Sequence, residues 1–149
     1  MKKDLRILVI NGPNLNLTGV REPAVYGSLT LEEINRSLLD AAISLGIEVD
    51  FSQSNHEGEI IDRIQASMSL YDGIILNAGA YSHYSYAIRD AIASVPIPVI
   101  EVHMSNVDAR EDFRRNSVIA PVCAGSISGF GSFGYHLALA ALVERYKNS

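Results

Sequence analysis

At 149 residues, 48% of them apolar and 19% charged, the chain has the composition of one globular domain with a substantial buried core. Its net charge of -5 argues against nucleic acid as a partner, because phosphate binding needs a basic surface, and no apolar run reaches transmembrane length. The lone cysteine, Cys123, excludes an internal disulfide, and the first apolar run is too short for a signal peptide, so a reducing, cytoplasmic location is the default expectation.

Residues 5–10, apolar except for Arg6, predict a buried strand. The connection over residues 11–27 is several times longer than usual in a compact domain. It carries Asn11, Asn14, Asn16, Arg21 and Tyr26 between glycine and proline corners, and its apolar Leu15, Leu17, Val20 and Val25 argue against disorder. A folded active-site loop is the expectation. Thr30 and Glu33 make a capping-box pattern ahead of Leu31, Ile34, Leu38, Ala41, Ala42 and Leu45, a helix stopped by Gly46. Residues 47–52 predict a second strand, and 57–69 a helix with Ile60, Ile61, Ile64 and Met68 on one face. Residues 73–77 predict a third strand that ends in a turn over 77–80. A helix over 85–94, punctuated by Pro96 and Pro98, leads to a fourth strand over 98–102. A polar segment over 103–116 with a short helix near Asp112, a fifth strand over 122–128 and a helix over 133–146 complete the chain. In that last helix Leu137, Ala140, Ala141 and Val143 are expected to face inward, and Cys123, between Val122 and Ala124, reads as a core residue.

Strands alternating with helices imply an α/β fold: a five-stranded parallel sheet in the flavodoxin-like order 2-1-3-4-5, helices on both faces, one domain over 1–149. Ligands of such sheets bind at the carboxyl ends of the strands, near the switch point between strands one and three. Asn11, Asn14, Asn77, Glu101, His103 and Ser105 all fall on that edge, with His83 just beyond the third-strand turn. The basic residues are unevenly chosen, nine Arg against three Lys, and Lys2, Lys3 and Lys147 are terminal. Arg21, Arg89, Arg110, Arg114 and Arg115 fall near predicted loops instead, which favours an anionic substrate, while surface placement accounts for some of the five and for Arg115 first.

Four chemistries compete for these residues. A phosphoacceptor receiver needs carboxylates at the ends of strands one and three to hold a divalent metal, and neutral amides stand there. A flavin module needs a Ser/Thr/Gly-rich phosphate turn after strand one, where only Thr18 is found. His83, His103, Glu101 and Asp108 lack the spacing of zinc ligands, and His56 and His136 have no polar company at strand ends. Acid–base chemistry fits better. Glu101 and His103 alternate along a strand and share a face; they form either a buried ion pair or a proton donor oriented by a carboxylate. Tyr26 close to Arg21 is either loop packing or a base, since a phenol of pKa about 10 becomes a base only when a cation favours the phenolate.

The segments Asn11-Gly12-Pro13-Asn14-Leu15-Asn16, Arg21-Glu22-Pro23 with Tyr26-Gly27, Asn77-Ala78-Gly79-Ala80 with His83, Glu101-Val102-His103-Met104-Ser105-Asn106 and Arg110-Glu111-Asp112-Phe113-Arg114 closely resemble type II 3-dehydroquinate dehydratase. The resemblance runs from Ile7 to the last helix, with only Met104 standing where the family often has another apolar residue. It implies dehydration of 3-dehydroquinate to 3-dehydroshikimate, in the shikimate pathway of aromatic biosynthesis or in quinate catabolism, by an anti elimination through an enolate. It implies that Tyr26 is the base, Arg21 the cation holding its phenolate, Asn14 the residue that positions a water at the enolate oxygen, and His103 the general acid oriented by Glu101. Asn77, His83 and Arg114 would bind substrate hydroxyls, the Met104 and Ser105 amides the carboxylate, and Arg110 would support the loop electrostatically. Asp90 would reach the site of a neighbouring subunit in a dodecamer, a tetramer of trimers. No cofactor and no metal are implied.

Overall fold

The computed structural model describes residues 4–149, so Lys2 and Lys3 lie outside the described residues. Among them five strands form one all-parallel sheet: β1 (Arg6–Asn11), β2 (Glu48–Gln53), β3 (Gly73–Asn77), β4 (Val99–His103) and β5 (Gly125–Ser128), in the order β2-β1-β3-β4-β5. Around it run α1 (Pro23–Tyr26), α2 (Leu31–Ser44), α3 (Glu57–Ser67), α4 (Tyr86–Ser94) and α5 (Phe133–Lys147). The flavodoxin-like order expected from the alternation is the order found.

The central strands are apolar on both faces because both are covered. Ile7, Val9, Ile75, Ile100 and Val102 point to the side of α2 and α5, whereas Leu8, Ile10, Ile74, Leu76 and Val99 point to α3 and α4. That parity decides where polar residues at the strand ends can reach. Asn11 and Asn77 continue the α5 side, and Glu101 and His103 continue the α4 side.

Local signals explain most boundaries. The Thr30 hydroxyl accepts from the Glu33 amide at 3.2 Å and Glu33 Oε1 accepts from the Thr30 amide at 3.3 Å, so the capping box of α2 is complete. Ile34, Leu38 and Ala42 form its buried face, and Gly46, at φ 70°, turns the chain into β2. Ser85 caps α4 by accepting from the Ile88 amide at 3.0 Å.

One expectation gains detail and two are corrected. The 11–27 connection contains a 3-10 turn (Leu15–Leu17) and the one-turn helix α1. β5 starts only at Gly125, because Pro121 sits in a 3-10 turn (Ala120–Val122) and leaves Cys123 half-buried. The buried face of α5 is Gly134, Tyr135, Ala138, Leu139 and Leu142, rotated from the expected set; this helix is apolar nearly all round, so packing rather than periodicity selects its face.

Candidate active site

The loop after β1 begins with a tight approach. The Gly12 amide donates to the Asn77 carbonyl at 2.7 Å, and a Cβ at position 12 would lie 2.8 Å from the backbone carbonyl of Ala78. Asn14 turns the chain at φ 67° and its amide donates to Asn55 Oδ1 at 3.0 Å, while buried Leu15 anchors the loop in the core. Glu22 at φ 41° and Gly27 at φ 87° bracket α1, and Pro23 starts it, the position where a missing N–H costs nothing. This single turn aims Tyr26 at two cations. Arg110 Nη1 donates to the Tyr26 hydroxyl at 2.7 Å and Arg21 Nη2 donates at 3.2 Å. Both guanidinium groups also lie over the ring, 5.0 and 4.7 Å from its centre. Of the two, the sequence pointed first to Arg21; the nearer donor is Arg110, which also donates to Ser105 Oγ at 3.2 Å.

β4 supplies the second constellation. His103 Nε2 meets Glu101 Oε2 at 2.9 Å, and the carboxylate is almost fully buried. Ser117 donates to the same oxygen at 2.6 Å and Ser126, its register neighbour on β5, donates to Oε1 at 2.8 Å. Burial alone would push the Glu101 carboxyl up; the bonds from His103, Ser117 and Ser126 outweigh it and hold it below the usual carboxylate range. Glu101 therefore stays ionised and fixes the His103 ring, leaving Nδ1 as the nitrogen free of that bond. The His83 ring stacks on His103 at 5.9 Å and 17°, and Phe113 meets it edge-on at 5.7 Å. His83 Nδ1 lies 2.8 Å from the Asn116 carbonyl, which accepts only, so Nδ1 carries the proton. Burial, reinforced by His103 and Arg114, lowers the His83 pKa despite that carbonyl.

These groups line one cleft of about 160 Å³. Asn14, Arg21, Tyr26, Asn77, His83, His103, Met104, Ser105, Arg110 and Arg114 all contribute to its wall, and Glu101 stands directly behind His103. Asp90 does not; it is exposed on α4. His136 sits away from the cleft, 3.1 Å from Ser37 Oγ, and His56 precedes α3. Arg89 is spent on the Val118 carbonyl at 2.8 Å, and Arg115 is exposed beside Asp112. Among the described residues no group of three His, Cys, Asp or Glu stands together as metal ligands would, and no helix is long and apolar enough to cross a membrane.

Three contributors escape a sequence reading. Ser117 and Ser126 become partners of Glu101 only once β5 is laid beside β4. Tyr135, on an apolar helix, reads as core; it also bonds Asn11 and Asn77 beneath the cleft.

Chemically the cleft pairs a phenol held by two cations with an imidazole oriented by a buried carboxylate, a set able to remove one proton and deliver another. A relative from Bacillus cereus (strain AH187), described as 3-dehydroquinate dehydratase, is 57% identical over 144 residues, covering 97% of this chain and 99% of its own. The crystal structure of a type II dehydroquinase from Butyrivibrio crossotus DSM 2876 superimposes with a TM-score of 0.92 at 53% identity, covering 93% of this chain and 97% of that one. That of a type II dehydroquinase from Propionibacterium acnes gives 0.90 at 39% identity, with coverage of 94% and 98%. Residues 5–143 match the family described as dehydroquinase class II, and with that match, these relatives and these superpositions in agreement the chain belongs to that family.

Proposed function

We propose that this protein, as a single catalytic domain, dehydrates 3-dehydroquinate to 3-dehydroshikimate by anti elimination through an enolate. One observation carries the reading: Arg21 and Arg110 both direct guanidinium N–H groups at the Tyr26 hydroxyl in the same cleft as the Glu101–His103 pair. Two cations at one phenolic oxygen favour negative charge there. The Tyr26 oxygen takes a proton from the carbon beside the ketone, and the C–H electron pair moves onto the ketone oxygen as an enolate. A water held by Asn14 donates to that oxygen, so charge is met where it develops. The enolate then reforms the carbonyl and expels the β-hydroxyl, which His103 protonates to water. The proton on Tyr26 returns to His103 through solvent, closing the cycle with no net change in the protein.

The remaining assignments follow the cleft wall. Asn77, His83 and Arg114 bind substrate hydroxyls, and the backbone amides of Met104 and Ser105 take the carboxylate. No metal or organic cofactor enters the scheme. Asp90, exposed on α4, serves a neighbouring subunit in a dodecamer built as a tetramer of trimers, and the enzyme works in the cytoplasm.

The test is a continuous assay for the ultraviolet absorbance of the conjugated enone carboxylate, absent from the saturated ketone. With substrate deuterated stereospecifically beside the ketone, the label anti to the leaving hydroxyl should be lost and the other retained. No absorbance change sinks the activity, and loss of the syn label sinks the stereochemistry.

A further inference from the structure

Under the cleft floor three buried side chains from three elements meet. Asn11 and Asn77 are register partners on β1 and β3 and face the same side of the sheet, toward α5. Tyr135 reaches between them from the first turn of α5, and its own exposure is only 1%. Asn77 Nδ2 donates to the Tyr135 oxygen at 2.9 Å, the Tyr135 hydroxyl donates to Asn11 Oδ1 at 2.5 Å, and Asn77 Oδ1 accepts from the Gly79 amide at 3.2 Å.

The direction of every bond is fixed by chemistry. The Gly79 amide can only donate, so the Asn77 oxygen must face it. The Asn77 nitrogen must then face Tyr135, whose single proton goes on to Asn11. Turning the Asn11 amide over would leave the Tyr135 O–H without an acceptor, so the arrangement leaves Asn11 Nδ2 without a partner among the described residues instead. Burial raises the Tyr135 pKa, which keeps this hydroxyl protonated and able to donate. The second N–H of Asn77 is committed to none of these partners, and Asn77 lines the cleft.

We propose that Tyr135 is a positioning residue that locks the Asn77 amide with one N–H on its own phenolic oxygen, so that the second N–H is left at the cleft floor as a donor to an oxygen of the substrate. The inference rests on the proposed function for the substrate and on the structure for the lock. Without the Tyr135 oxygen the amide loses the bond that holds its nitrogen, while the Asn77 backbone and the sheet remain.

Tyr135→Phe keeps the ring and removes the lock. KM should rise by about tenfold, the scale of one hydrogen bond, with kcat reduced less than about threefold. A merely structural role would lower Tm and leave KM unchanged, and that result overturns the proposal. Adding Tyr135→Phe to Asn77→Ala should raise KM no further than Asn77→Ala alone, because one residue acts through the other; additive increments count against it. Should Tyr135→Phe fail to fold, side-chain amide NMR of the wild-type protein decides. One Asn77 Nδ2–H should be protected from solvent exchange with or without ligand, and protection of neither overturns the lock. A wild-type protein lacking dehydratase activity overturns the proposed function, whereas an active one with KM indifferent to Tyr135→Phe overturns this inference alone.

Discussion

Tyr26→Phe removes one oxygen and little volume, so fold and substrate binding should survive while kcat falls by about 10²–10⁴-fold, the loss typical of a general base. Packing alone predicts a nearly silent change; a variant keeping more than about a tenth of wild-type turnover would end the case for this base. Arg110 is the closer donor, at 2.7 Å against 3.2 Å for Arg21, so Arg110→Ala should cost more activity than Arg21→Ala. Equal losses, or the reverse order, in steady-state kcat would reject that ranking. Cys123 makes the opposite kind of statement. Burial, and then the charge of Glu101, push its thiol up to about 12, so little thiolate exists at neutral pH. Iodoacetamide at about pH 8 should leave the folded protein unmodified and label it fully in urea, as read by mass spectrometry; rapid labelling of native protein refutes it.

At the scale of elements, the capping box of α2 is the clearest local device. Thr30→Ala deletes the hydroxyl that accepts from Glu33 and should lower stability by about 1 kcal/mol in urea titration, with kcat unaffected. A stability change under about 0.3 kcal/mol would show that tertiary contacts hold this end without the cap. This helix start was legible because its signals lie within four residues of one another. The Glu101–His103 contact was legible for a similar reason: alternation on a strand puts both on one side whatever the rest of the fold does. α1 was not, since a single turn between left-handed corners at Glu22 and Gly27 has too few residues to show a period. The inward face of α5 was misjudged because Ala and Leu surround it, and the sheet's choice of Tyr135 and Leu139 is a tertiary decision. Ser117 and Ser126 lie 16 and 25 residues from their carboxylate partner, a separation no local pattern spans.

For the whole molecule, two titrations in and behind the cleft shape the acid side of the stability curve. The Glu101 carboxyl sits below its ordinary value, so its contribution is complete above the unfolded carboxylate range and fades as pH falls through the lowered folded value. His83 is lowered as well, by burial first, so the unfolded chain takes up its proton before the folded one and stability declines as pH drops below about 6.5. Both effects act in one direction. The urea midpoint should fall steadily from about pH 7 to about pH 3, and Glu101→Gln should flatten the lower part of that slope. A midpoint flat below about pH 5 would contradict the Glu101 shift, and one flat across the whole range would contradict both. The lysines complete the picture at this scale. Lys147 ends α5 near Leu5 and Ile47, at the amino ends of the strands, and among the described residues no lysine lines the cleft. A catalytic imine needs a desolvated lysine beside the substrate ketone. Borohydride added with 3-dehydroquinate should therefore leave activity intact, and a reduced adduct on any lysine would overturn that expectation.

The approach of Gly12 to Ala78 carries a consequence for how this sequence can drift. The obstacle to a side chain at position 12 is the main chain of residue 78, which every amino acid at that position would also carry. No second substitution there can make room, so the two positions cannot trade volume as core neighbours often do. A library randomised at 12 and 78 and selected for folding should return glycine at 12 whichever small residue the buried position 78 accepts. Inheritance where the loop leaves β1 is thus rigid by geometry, whereas exposed loop positions such as Val20 remain open to change.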